Sequence, residues 1–114
     1  MTLKRMVLEI GMGNDLHGGD YTKAAVRAVE DAIHHSSLTM IRSLDISRDD
    51  MHVDVTVGVQ DPDAVDTAVV AGTLPYGQIT VNAVAGGLDV PTDEGDDKAV
   101  IATAAIIVRV DLAE

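Results

Sequence analysis

The chain has very few large side chains with which to fill a core. It contains no Trp, no Phe and two Tyr, although 46% of its residues are hydrophobic. Alanine and valine must provide most of the buried surface, and burial stabilises by only about 25 cal/mol per Å². At 114 residues the chain has the size of one domain. We expect it to bury further surface by associating with itself, and we predict a homo-oligomer.

The net charge of −11 limits the partners that such a surface can bind. An acidic surface repels a phosphate backbone and anionic lipids, so we expect neither a nucleic-acid nor a membrane partner. No stretch has the roughly 20 apolar residues of a membrane span, and the first residues lack a secretory pattern. The absence of Cys excludes disulfides and thiolate metal sites, and it agrees with a cytoplasmic location.

The spacing of apolar residues predicts a mixed α and β domain. Alternating or continuous apolar runs indicate strands, and small apolar residues at a helical period indicate helices. Asp20 is a suitable N-cap for the first helix. The pattern predicts strands at residues 5–12, 52–60, 78–85 and 99–112, and helices at residues 21–35 and 64–71.

Two segments complete the predicted architecture. Residues 37–46 fit a short helix better than a strand, although both remain open, and residues 86–98 are expected to form a long loop. Within that loop, we expect the acidic stretch 93–97 to be solvated and to fold over the functional site. The predicted fold class is α+β: a two-layer sandwich with about four strands, two or three helices on one face, and the other face packed in an oligomer.

The segment 11–20 concentrates glycine, carboxylate and imidazole groups at the end of the first predicted strand. Asp15 and His17 are two residues apart, so in an extended segment their side chains point to the same side. A carboxylate and an imidazole together suit a divalent metal such as Zn²⁺, Mn²⁺, Fe²⁺ or Mg²⁺. Two ligands do not hold a metal firmly. A third would come from another subunit or from one of the following: Asp20, His34, His35, His52 or the stretch 93–97.

The same loop also fits an anion site. Glycine exposes backbone N–H groups, and the loop leads into a helix N-terminus with its partial positive charge. Lys23, in the first turn of that helix, would contact a small anionic molecule. The spacing differs from the dinucleotide motif G-x-G-x-x-G, so no nucleotide cofactor is expected. The expected donors to the anion are Gly11, Gly13, Gly18 and Gly19.

Three interpretations of this loop therefore stay open. In the first, a metal-dependent enzyme acts on a small anionic metabolite, with His17 or Asp20 as the general base. In the second, the chain is a non-catalytic homo-oligomeric binding or scaffold module. In the third, the glycines only permit a tight turn, an aspartate caps the helix and His17 is an ordinary surface residue.

The pattern Gly11-x-Gly13-x-Asp15-x-His17-Gly18 resembles the motif of a small uncharacterised family found in bacteria and, with extensions, in plants. The resemblance covers nearly the whole chain and implies no known activity. The same segment is similar to the start of the trimeric 2-C-methyl-D-erythritol 2,4-cyclodiphosphate synthases, in which the matching Asp and His bind a divalent metal. That resemblance implies metal ligands at Asp15 and His17. The enzyme's H-S-D-G-D motif has no counterpart here, so its reaction is not predicted.

Overall fold

The computed structural model describes residues 3–34, 50–74, 77–93 and 95–111, and within them the chain forms one sheet with two helices. The mixed α+β class expected from the sequence is confirmed. The helices are α1 (Tyr21–His34) and α2 (Thr67–Ala71), and a 3₁₀ turn precedes α2 at Pro62–Ala64. The strands are β1 (Leu3–Asp15), β2 (Met51–Val59), β3 (Gln78–Ala85), β4 (Leu88–Pro91) and β5 (Lys98–Asp111).

The sheet is mixed, with strand order β1-β5-β2-β3 and β4 beside β5. β5 runs antiparallel to β1, β2 and β4, whereas β2 and β3 are parallel and are connected through α2. The described sheet thus has five strands where about four were expected. The additional strand, β4, lies in the segment predicted as a long loop. It pairs with the first residues of β5, beyond Thr103, where the pairing of β2 with β5 ends at Gly58.

Helix α1 lies directly against the backbone of β1, because that strand presents glycine on its inner face. A Cβ on Gly11 would lie 2.4 Å from the Ala28 carbonyl oxygen, and a Cβ on Gly13 would lie 2.2 Å from the Ala28 nitrogen. Neither distance is compatible with a side chain. The helix faces these glycines with an alanine-rich stripe, whose small side chains allow the close approach. The fully buried residues of that stripe are Ala24, Ala25, Ala28, Val29 and Ala32.

The core lies between this stripe and the inner face of the sheet. The four valines of β2 at alternating positions are all buried, as the period-two pattern predicted, and alternate residues of β5 are buried beside them. α2 packs on the same side, in contact with α1 and β3. The buried set from the two central strands is Val53, Val55, Val57, Val59, Val100, Ala102, Ala104, Ile106, Val108 and Val110.

The first strand is longer than predicted. It continues to Asp15, so Gly11 and Gly13 belong to a strand paired with β5 and not to the loop in which the sequence analysis placed them. Glycine has a low strand propensity, which is why the pattern indicated a loop; the close approach of α1 explains why glycine is used here. The ambiguous segment 37–46 and His35 lie outside the described residues.

Two side chains of α1 bond to the edge of β1 that faces away from β5. The Met12 N–H donates to Asp31 Oδ2 at 2.9 Å, and the Arg27 guanidinium donates to the Asn14 carbonyl oxygen at 2.7 Å. These bonds occupy backbone groups that would otherwise be open to another strand. The edge of β1 is therefore closed to strand pairing at this position. No helix in the described part of the chain is long and apolar enough to cross a membrane.

We expect Gly13→Ala to destabilise the protein by about 3 kcal/mol, since the added methyl group must push α1 away from β1. The melting temperature should fall by roughly 10 °C, measured by circular dichroism. Gly72→Ala is the matched control, because a Cβ there meets its nearest atom at an ordinary 3.4 Å. An unchanged melting temperature for Gly13→Ala would contradict the packing described here.

Candidate functional site

The loop between β1 and α1 is short, and its glycines are needed for its shape. Gly18 and Gly19 have φ angles of 98° and 62°, a region that other residues rarely adopt. Asp20 then caps α1: its Oδ1 accepts from the Lys23 N–H at 3.0 Å, and its carbonyl oxygen accepts from the Ala24 N–H. The N-cap role predicted for Asp20 is confirmed. That carboxylate is occupied by the helix, and its role as a general base stays a prediction.

Asp15 is the buried acidic group of this loop, with 3% of its surface exposed. Its Oδ2 accepts from the Asp20 N–H at 2.9 Å. Its Oδ1 lies 3.6 Å from Lys23 Nζ and 3.9 Å from the Arg27 guanidinium. Two cations and one backbone donor thus compensate the burial of this charge. Lys23, which was expected to contact an external anion, lies against a carboxylate of its own chain.

His17 lies in a different environment, with 82% of its side chain exposed. Its Nδ1 is 3.2 Å from Asp97 Oδ2. Asp97 Oδ1 in turn accepts from the Gly18 N–H and the Lys98 N–H, both at 2.9 Å. Because these N–H groups stabilise the charged form, with Gly18 the largest cause, the pKa of Asp97 is below its usual value of 3.8.

The described contacts therefore give Asp15 and His17 separate partners. Among residues 3–34, 50–74, 77–93 and 95–111, no three or more His, Asp or Glu side chains form a group that could hold a metal ion. Two backbone donors of the loop, those of Gly18 and Asp20, bind Asp97 and Asp15. Both carboxylates bound by the loop thus belong to the same chain. Metal ligation by Asp15 and His17 stays a prediction, as does anion binding by the glycines.

The expectation that the acidic stretch folds over the loop agrees with the position of Asp97. A neighbouring polar network was missed by the sequence analysis. Tyr21 donates its hydroxyl hydrogen to Asp89 Oδ2 at 2.5 Å, and Lys98 Nζ donates to Tyr21 Oη at 2.7 Å and to Asp89 Oδ2 at 3.1 Å. Lys98 Nζ also lies 4.8 Å from the centre of the Tyr21 ring. We call Tyr21, Asp89 and Lys98 the tyrosine network.

The tyrosine network joins the first residue of α1 to β4 and to the first residue of β5. The hydrogen bonds from Lys98 to Tyr21 and Asp89 raise the pKa of Lys98 above its usual 10.5. The sequence did contain one signal for it. Leu88-Asp89-Val90 alternates apolar and charged residues, which indicates a short strand with Asp89 on the opposite face from its neighbours.

Over the described ranges, these features define a small α+β protein with one mixed sheet. The loop that joins the first strand to the main helix is bound by the carboxylates of Asp15 and Asp97. The chain belongs to the Lin0512 family of conserved hypothetical proteins, whose model matches residues 5–108. An uncharacterised family was expected from the sequence, and this expectation is confirmed. The 2-C-methyl-D-erythritol 2,4-cyclodiphosphate synthase resemblance stays a prediction.

A solved structure similar to this chain is that of an FtsZ-like protein of unknown function from Nostoc punctiforme. It has 34% sequence identity and a TM-score of 0.85, over 97% of this chain and 98% of the other. No curated protein matches the chain. The comparisons support the fold and the family, and they name no reaction.

We expect Asp97→Ala to lower the melting temperature at pH 7, with a smaller difference from the wild type in acid. The folded-state pKa of Asp97 is depressed, so its contribution is present above the unfolded value near 3.8 and is lost as pH falls through the folded value. Thermal unfolding of both proteins between pH 7 and pH 3 measures this difference.

Asp96→Ala is the control for this experiment, because Asp96 is an exposed carboxylate on the same loop and its loss changes the net charge equally. The control should follow the wild type at each pH. If Asp97→Ala and Asp96→Ala gave the same curve, the contacts of Asp97 with the loop would not contribute to stability.

Proposed function

We propose that this protein is a non-catalytic homo-oligomeric binding or scaffold module, whose subunits associate through the outer face of the sheet. One observation carries the proposal: large apolar side chains of β1 and β4 are exposed on that face. Ile10 is 66% exposed, and Met12 and Leu88 are each 60% exposed. A small monomeric protein rarely leaves a group of such side chains in water.

The exposed side chains lie on neighbouring strands of the same side of the sheet, and we call this group the apolar face. Directly paired residues of neighbouring strands point to the same side of a sheet. The β1–β5 register pairs Leu8 with Ile107 and Ile10 with Ala105, and the β4–β5 register pairs Leu88 with Ile101. The apolar face therefore comprises Leu8, Ile10, Met12, Leu88, Val90, Ile101, Ala105 and Ile107.

The remainder of the same side of the sheet is mainly polar, although Val84 of β3, opposite Gly58, is also 45% exposed there. Across β2 and β3 the register places Asp54 beside Thr80 and Thr56 beside Asn82. Asp54 also forms an ion pair with Arg109 of β5. The outer side is thus divided into a mainly apolar half on β1, β4 and β5, which includes Thr103 opposite Met12, and a mainly polar half on β2 and β3. Such a division is typical of an interface core with a polar rim.

A second copy of the chain is the occupant that the charges favour. With a net charge of −11, two copies repel each other over most of their surfaces, but no member of the apolar face is charged. An uncharged apolar surface is complementary to itself across a two-fold axis. Pairing through the edge of β1 is obstructed by Asp31 and Arg27, so association through faces is favoured over association through this edge.

The related FtsZ-like protein is itself described as of unknown function and supplies no reaction for this chain. The absence of nucleic-acid and membrane partners, the small anionic ligand and the cytoplasmic location stay predictions. A metal-dependent enzyme at the loop also stays a prediction, and no contact in the described residues supports it. The separate partners of Asp15 and His17 favour the module instead.

We expect Ile10→Lys to convert the oligomer into a 12.0 kDa monomer, because a buried ammonium group in the interface has no partner there. Size-exclusion chromatography with light scattering at micromolar concentrations measures the mass. Asn82→Lys is the control: it adds the same charge to the same side of the sheet, on the polar half, and should leave the oligomer intact. A wild-type protein that stays monomeric would refute the proposal.

We expect chelator or added Zn²⁺, Mn²⁺ or Mg²⁺ to leave the melting temperature unchanged, since Asp15 and His17 already have protein partners. Thermal unfolding with and without a polyaminocarboxylate chelator such as EDTA, on wild type and Asp15→Asn, measures this. A metal-dependent increase in the wild type that Asp15→Asn abolishes would instead support the metal-dependent enzyme.

A further inference from the structure

The strand β4 contributes to the apolar face although it has little sheet around it. It has four residues, and its described sheet partner is the beginning of β5. Leu88 and Val90 nevertheless expose their side chains on the outer face, beside Ile101 and Ala99 in the register. A strand this short, with one neighbour, is weakly held by its ladder alone. Something else must fix the positions of these two side chains.

Asp89, between Leu88 and Val90, points to the opposite face and joins the tyrosine network there. The register places it opposite the buried Val100, on the helix side of the sheet. Its Oδ2 accepts from Tyr21 Oη at 2.5 Å and from Lys98 Nζ at 3.1 Å. Tyr21 is buried against the core and begins α1, so its hydroxyl has a rigid base. The tyrosine network therefore ties the middle of β4 to the main helix.

The tyrosine network includes a feature that lowers the stability of the fold. Within the described residues, Asp89 Oδ1 is buried and has no hydrogen-bond partner. A buried acceptor without a donor is destabilising, and apolar residues of similar size often stabilise as well as a partly buried ionic group. Polar groups held in fixed geometry instead specify one arrangement of the chain. The position of β4 is the arrangement that this network can specify.

We propose that Tyr21, Asp89 and Lys98 are positioning residues, which hold β4 on β5 so that Leu88 and Val90 present their side chains to a second copy of this chain. This inference rests on the proposed function, since it assigns to the network the shaping of the same apolar face. It also couples that face to the start of α1 and thus to the loop at residues 16–20. None of the three residues needs to touch the partner.

The test compares Tyr21→Phe with Thr22→Val. Tyr21→Phe keeps the buried ring and removes the hydroxyl that binds Asp89 and Lys98. Thr22→Val removes the next hydroxyl along α1, which accepts from the Asp66 N–H and has no contact with β4 in the hydrogen bonds described. Hydrogen exchange followed by mass spectrometry reports the protection of peptide 86–93, and sedimentation equilibrium gives the dissociation constant of the oligomer.

For Tyr21→Phe we expect exchange in β4 to become at least tenfold faster, and the dissociation constant to rise at least tenfold. Asp89→Asn should act in the same direction, and Thr22→Val should match the wild type in both measurements. Leu88→Ser should weaken association without changing exchange in β2, whose outer side belongs to the polar half. Because exchange is measured in solution on folded protein, a variant with wild-type protection in β2 has not simply unfolded.

The two proposals fail in different ways. A monomeric wild type would refute assembly through the apolar face, while slow exchange in β4 that Tyr21→Phe accelerates would still support the positioning of β4. Wild-type exchange of β4 in both Tyr21→Phe and Asp89→Asn would overturn the positioning role, whatever the oligomeric state. Faster exchange in β4 with an unchanged dissociation constant would overturn the link between the network and assembly.

Discussion

The structure depends on the direct contact between the backbone of α1 and the backbone of β1. Glycine at positions 11 and 13 leaves no side chain between them, and Ala28 occupies the space where a Cβ would lie. This short separation lets Arg27 and Asp31 reach the edge of β1 from the helix. It also allows a five-residue loop to connect the two elements. A chain with few large side chains can build a dense core in this way, by bringing backbones close together.

The loop that follows this contact is closed by carboxylates of the same chain. Asp15 is enclosed by the helix start and two cations, and Asp97 reaches across from the β4–β5 connection to the Gly18 N–H. The loop groups that suggested a site for an external metal or anion thus have partners within the chain. A glycine-rich loop at a helix N-terminus attracts an anion because its N–H groups are exposed and the helix end carries a partial positive charge. An aspartate of the protein can accept those hydrogen bonds as well as an external ligand can.

The two sides of the sheet have different surroundings. The inner side, with its valines and alanines, packs against the helices, whereas the outer side separates into the apolar face and a polar half. The tyrosine network connects the two sides, because Asp89 anchors on the inner side a strand whose neighbouring residues, Leu88 and Val90, are exposed on the outer side. The tyrosine network thereby links the proposed assembly surface to the start of α1, next to the loop at residues 16–20.

The sequence by itself determined the fold class, the main helix with its Asp20 cap, and the strands whose valines alternate, because periodicity and capping act over a few residues. It did not reveal that Gly11 and Gly13 belong to a strand, since only the approach of α1 gives these glycines their purpose. It also missed the partnership of Tyr21, Asp89 and Lys98, which are up to 77 residues apart. Tertiary structure decided which carboxylate bonds to which donor, because those pairings follow from strand register and helix placement. The spacing of residues that are close in sequence determines neither of these.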